Sequence, residues 1–117
     1  MALTDFGKAI RTARIETDET LSQMAQAIGT TPAFLSAIET GRKKIPDSWV
    51  EKIEAFFRAK GKFIPNLRDL AAVANDSVSV AGLSPAQQML VAGFARTNLD
   101  PDQLKKFEQL LRISMKD

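Results

Sequence analysis

The chain has 117 residues, 44% of them hydrophobic, with 16 Lys and Arg against 14 Asp and Glu. That suits one domain, or a small domain with an appendage, and can bury a core, while a net charge of +2 is too small to specify a partner. There is no Cys and no His, which excludes a disulfide framework, a thiolate zinc site and the commonest general base.

The pattern is helical almost throughout. Phe6, Ile10 and Ala13 fall at i, i+4 and i+7 with Ala9 beside them, predicting an amphipathic helix over residues 4–16 capped by Thr4. Its outer face carries Lys8, Arg11 and Arg14. Thr20-Leu-Ser-Gln23 is a capping box that opens a second helix, which stops at Gly29. Thr31 caps a third helix with Pro32 at its first position, where a missing N–H costs nothing, and Thr40-Gly41 ends it. Ser48-Trp-Val-Glu51 reads as another capping box. It opens a fourth helix with Val50, Ile53, Phe56 and Phe57 inward, ending near Lys60-Gly61. Asn66 caps a fifth, shorter helix with Leu67, Leu70, Ala71 and Ala74 inward.

Residues 75–83 break the rhythm and read as a linker, with Val78 and Val80 alternating as in a brief extended segment. Ser84-Pro85-Ala86-Gln87 and Asp100-Pro101-Asp102-Gln103 then share one design, a cap, Pro at the first position and Gln at the third. They predict helices over 85–97 and 101–115. Met89, Leu90 and Phe94 line the first. Leu104, Phe107, Leu110, Leu111 and Met115 line the second. The short loop between them predicts an antiparallel hairpin. No apolar run approaches the ~20 residues of a membrane span. The N-terminus lacks the apolar core of a secretory signal, so the expected location is the cytoplasm.

The ordered set Met24-Ala25, Ile28-Gly29, Leu35-Ser36, Ile38-Glu39 and Gly41, with Arg14 and Thr20 before it, resembles the Cro/C1-type (lambda-repressor-like) helix-turn-helix family over residues 4–58. The helical pattern along the chain, with this resemblance over its first half, gives the expected fold class: all-α, a five-helix DNA-binding domain over 1–74, a linker over 75–83 and a helical hairpin over 84–117. The resemblance implies that Arg14 pairs with Glu39. Met24, Ile28, Leu35 and Ile38 read as scaffold. Gly29 permits positive φ in the turn.

In such a domain the exposed face at the start of the third helix enters the major groove. Here that face offers Thr31, Pro32, Ala33, Ser36 and Ala37 as base-contacting residues. Pro32, Ala33 and Ala37 stand where relatives often carry Gln, Arg or Asn, and Ala can only touch a thymine methyl. Three readings stay open: specificity from Thr31, Ser36 and DNA shape, modest discrimination, or loss of tight binding. Phosphate contacts are expected from Arg11, Thr20, Thr40, Arg42, Lys43 and Lys44, the last three being otherwise a solvated basic loop. Residues 40–62 hold seven cations (Arg42, Lys43, Lys44, Lys52, Arg58, Lys60, Lys62) against Asp47, Glu51 and Glu54, a local +4. Residues 65–117 are neutral. The spacing of Trp49, Phe56 and Phe57 favours core burial over base stacking. Phe34 is either core or a backbone contact.

The function expected from these residues is a sequence-specific DNA-binding transcriptional regulator, a repressor. Its partner is double-stranded DNA, read at a palindromic operator by a homodimer. Met89, Leu90, Phe94, Leu104, Phe107 and Leu111 are the dimerisation candidates, unless that stripe packs back on the domain. The alternative is an antitoxin-type module that binds a protein such as a toxin and autoregulates its operon. No enzyme activity, cofactor, metal or membrane association is expected.

Overall fold

The computed structural model describes residues 2–115, with side chains through Arg112. The described residues form seven helices and no strand. The expected place of Met115 on the last stripe lies outside the described side chains. The chain divides into two compact units, Met1–Val78 and Ser79–Asp117, and the division falls within the stretch read as a linker.

The first unit holds α1 (Asp5–Glu16), α2 (Leu21–Ile28), α3 (Pro32–Glu39), α4 (Asp47–Arg58) and α5 (Leu67–Ala74). Each start is set locally. The Thr4 hydroxyl accepts from the Gly7 N–H at 3.0 Å, and Thr31 accepts from Phe34 at 3.1 Å. At α2 the full box forms: Thr20 accepts from the Gln23 N–H, and Gln23 accepts from the Thr20 N–H at 2.8 Å. Two expected caps fail. Helix α4 starts at Asp47, with Pro46 as a cap that makes no side-chain bond. The Pro46 carbonyl already accepts from Trp49 and Val50, so Ser48 lies inside the helix and its box is not made. Asn66 occupies the cap position of α5 in a left-handed conformation, φ 60°, without a side-chain bond.

Faces at helical spacing meet in one core. Phe6, Ile10, Met24, Leu35, Ile38, Val50, Ile53, Phe57 and Leu67 are fully buried. Each such side chain contributes about 1.5–3 kcal/mol through removal from water. Trp49, Phe56 and Phe34 are half-buried against this core.

One contact needs a missing side chain. Helix α1 crosses the end of α3 at Gly7, where a Cβ would stand 2.1 Å from the Glu39 carbonyl oxygen. Thr4 closes the same crossing, since its backbone N–H and its hydroxyl both donate to that carbonyl, at 3.0 and 3.1 Å. Neither role was legible in the sequence beyond the presence of a Gly inside a helical stretch.

The second unit holds α6 (Pro85–Arg96) and α7 (Pro101–Met115). Ser84 caps α6 by accepting from the Gln87 N–H, and Asp100 with Gln103 makes a complete box on α7. The two helices meet at Phe94 and Phe107, whose rings stand edge to face with centroids 5.2 Å apart.

Candidate nucleic-acid interface

Helices α2 and α3 are joined by a turn that Gly29 makes possible. Its φ is 82°, a region that costs an L side chain energy. The Gly29 N–H donates to the Gln26 carbonyl and the Thr30 N–H to the Ala25 carbonyl, which is the Schellman arrangement that satisfies the last carbonyls of a helix. No atom stands within 4 Å of where a Cβ would lie at Gly29, so the dihedral and not the space demands glycine.

The far end of α3 is held by charge. Arg14 and Glu39 form a two-pronged ion pair, Nη1 to Oε2 at 2.5 Å and Nη2 to Oε1 at 3.2 Å. The residues are only 7% and 3% exposed. The Arg14 Nη1 also faces the Met24 sulfur of α2 at 3.9 Å. The pair that the resemblance implied thus joins α1 to α3, and its contact with Met24 adds α2.

The start of α3 is open. Thr31, Pro32 and Ala33 are exposed, and Ser36 is half-buried. Ala37 is a correction, being buried at 7% exposure. The turn after α3 folds back on it, and its carbonyl accepts from the Arg42 and Lys43 N–H groups at 2.9 and 3.3 Å. Ala37 therefore does not belong to the open face. The Thr31 hydroxyl spends a lone pair on its cap and keeps its proton for a further acceptor.

The cations divide into free and engaged. Arg42 and Lys43 are exposed, and no carboxylate among the described residues forms an ion pair with them. Lys44 is tethered, with its ammonium donating to the Asn75 carbonyl at 2.5 Å, just past the end of α5. Thr40 is largely spoken for: its hydroxyl donates to the Ser36 carbonyl at 2.8 Å and accepts from the Arg42 Nε at 3.3 Å. At Thr20 the capping box consumes the N–H groups of residues 20 and 23, so Leu21 and Ser22 supply the donors of that turn. Arg11 is exposed on α1. Part of the local positive excess disappears, because Lys60 pairs with Glu19 at 2.6 Å and Lys62 with Glu16, whereas Arg68 pairs with Glu51 at 3.5 Å and takes up one of the local acids.

Two further features organise the loop. The Asn75 side chain accepts from the Ile45 N–H at 2.8 Å and donates to the Ile45 carbonyl at 2.9 Å. It thereby clamps residues 42–45 to α5, and it belongs to the first unit rather than to a linker. Beside the loop, Phe34 packs on Trp49 with centroids 4.9 Å apart. Lys43 stands 5.9 Å from the Phe34 ring and Lys52 4.4 Å from Trp49. Phe34 is thus a bridge between α3 and α4.

The arrangement is an exposed helix start that carries the hydroxyls of Thr31 and Ser36, followed by two cations without a carboxylate partner on a clamped loop. It can accept a polyanion along the loop and present a narrow, mostly apolar edge beside it. No helix among the described residues is long and apolar enough to cross a membrane. Comparison of the chain with protein-family models, with curated proteins and with solved structures finds no match.

Proposed function

We propose that the chain is a DNA-binding transcriptional regulator of Cro/C1 type, a repressor that sets α3 in the major groove. The reading rests on one observation: Arg42 and Lys43 stand exposed, with no carboxylate partner among the described residues, on a loop clamped at the end of a helix whose start is open. Thr31, Pro32, Ala33 and Ser36 form the base-facing edge. Arg11, Arg42, Lys43 and the first turn of α2 take phosphates, with Lys44 and Thr40 holding the loop that carries them. Only Thr31 and Ser36 on that edge can hydrogen-bond, so the reading includes modest direct readout supplemented by DNA shape. Two copies on a palindromic operator double the information read, with half-sites about 34–36 Å apart. The α6–α7 pair forms an antiparallel hairpin of its own.

Selection of bound duplexes from a random pool tests the proposal, with a palindromic product expected. Replacing Arg42 and Lys43 by Ala weakens binding to every sequence and lowers the slope of log affinity against log salt by about 2. Recovery of no enriched duplex, or an unchanged salt slope, refutes it.

A further inference from the structure

Three lysines of the first unit stand over aromatic rings. Lys43 lies 5.9 Å from the centre of Phe34, Lys52 4.4 Å from Trp49 and Lys60 5.1 Å from Phe56. Phe34 and Trp49 pack on each other, and Lys52 and Phe56 are neighbours on α4 by their i, i+4 spacing. Of these six residues the DNA-binding proposal uses only Lys43. Beside Lys52 and Phe56, between α2 and α4, runs a groove of about 370 Å³ lined by Ala27, Ile28, Lys52, Ala55 and Phe56. Apart from the Lys52 ammonium the lining is apolar. Ala27 and Ala55 are exposed, and Ile28 and Phe56 are half-buried, so this apolar surface faces water.

The charge around the groove has one sign. Residues 20–38 hold no charged side chain, so α2 supplies none. On α4, Lys52, Ala55 and Phe56 share a face by their spacing, while Asp47, Glu51 and Glu54 recur at i, i+4 and i+7 on another. Glu51 is turned toward α5, where it pairs with Arg68. Glu19 is the carboxylate that reaches this side, and Lys60 holds it at 2.6 Å. No ion pair among the described residues engages Lys43 or Lys52. An apolar cleft edged by cations complements a segment of the opposite pattern, an apolar side chain edged by carboxylates.

We propose that the α2–α4 groove binds an acidic segment of a partner protein. One large apolar side chain enters between Ala27, Ala55 and Phe56. Carboxylates beside it pair with Lys52 and, past Trp49 and Phe34, with Lys43. Each ammonium is already held near a ring, so little side-chain freedom is lost on pairing. A single-stranded nucleic acid fits less well, because base stacking needs a bare ring face. The Trp49 ring already carries Phe34 and Lys52, and the Phe56 ring carries Phe57 at 5.0 Å and Lys60. The proposal does not depend on DNA binding, and it involves neither α6 nor α7.

The probe is a displayed pool of random short peptides selected on the full chain. Affinity of the enriched peptides is read by titration against the fluorescence of Trp49, the only Trp. Enrichment of Asp and Glu around a Leu or Phe is expected. Ala55→Arg fills the groove from an exposed helical position and is expected to weaken binding at least about tenfold. Ala27→Gln narrows it from the other wall and acts in the same direction. Lys52→Gln is expected to weaken binding by up to about fivefold, the range of an exposed ion pair. Glu51→Gln, on the other side of α4, leaves it within about twofold. Melting followed by circular dichroism is expected to be the same for all four variants. Recovery of no peptide, or of peptides without acidic residues, overturns the proposal. So do peptides captured instead by the exposed stripe of the second unit, Met89, Leu90, Phe94, Leu104, Phe107 and Leu111, which survive Ala55→Arg and leave Trp49 emission unchanged. Displacement of the enriched peptide by an oligothymidylate gives the face to nucleic acid and overturns the protein partner.

Discussion

Replacing Gly7 by Ala destabilises the chain, although Ala is the better helix former. At an ordinary helical site the exchange favours folding by up to about 1 kcal/mol. Here the new Cβ would lie 2.1 Å from the Glu39 carbonyl oxygen, 2.9 Å from its carbon and 3.0 Å from its Cα. Close carbon–oxygen contacts are about 3.3 Å, so the helices must part by more than 1 Å. The obstacle is backbone and cannot rotate away. Separation lengthens both hydrogen bonds from Thr4 to Glu39, each worth about 1 kcal/mol, and adds the 1–3 kcal/mol typical of overpacking. The net loss is at least about 2 kcal/mol. That lowers the melting temperature of a domain of this size by at least about 8 °C. Gly93→Ala is the control, since no atom lies within 4 Å of a Cβ there and the helical preference acts alone. Urea unfolding followed by Trp49 fluorescence measures the first, and helical circular dichroism the second. A Gly7→Ala chain as stable as the parent would refute the crossing as described.

Glu39→Ala leaves the Arg14 guanidinium buried and unpaired, with an expected cost of about 3–5 kcal/mol in urea unfolding. Asn75→Ala removes the clamp on Ile45, with an expected loss of about 1–3 kcal/mol. Under the DNA-binding proposal it also weakens duplex binding without touching a base-facing residue, which a retention assay measures at a temperature where both proteins are folded.

Helix boundaries were legible because their causes are local. Thr20 with Gln23, Thr31 with Pro32, and Asp100 with Gln103 carry both halves of a start signal within four residues. The apolar stripes around Phe6, Ile10, Leu35 and Ile53 show which face turns inward. Legibility ended where partners are distant in sequence. Asn75 and Ile45 lie 30 residues apart, and Asn-Asp-Ser reads as a turn whether or not the first side chain clamps a loop. The resemblance puts Ala37 on the open face, but a turn folding back from residues 41–43 covers it. Lys60 and Lys62 swelled a local charge count, while the acids that pair with them, Glu19 and Glu16, sit in the first helix and its following turn. The Ser48 box failed for the opposite reason: the local signal was present, but the Pro46 carbonyl started the helix first.

The holding of α3 at one end has a mechanical consequence. Its root is pinned twice, by the Glu39 side chain on Arg14 and by the Glu39 carbonyl on Thr4, while Thr31, Pro32 and Ala33 at its tip are uncovered. Between them Leu35 is fully buried and Phe34 packs on Trp49, so the helix, eight residues and about 12 Å long at 1.5 Å per residue, moves as one rod with the core. A tilt of about 10° moves the tip by about 2 Å, enough to break any hydrogen bond made there. Whatever loads the root therefore steers the tip.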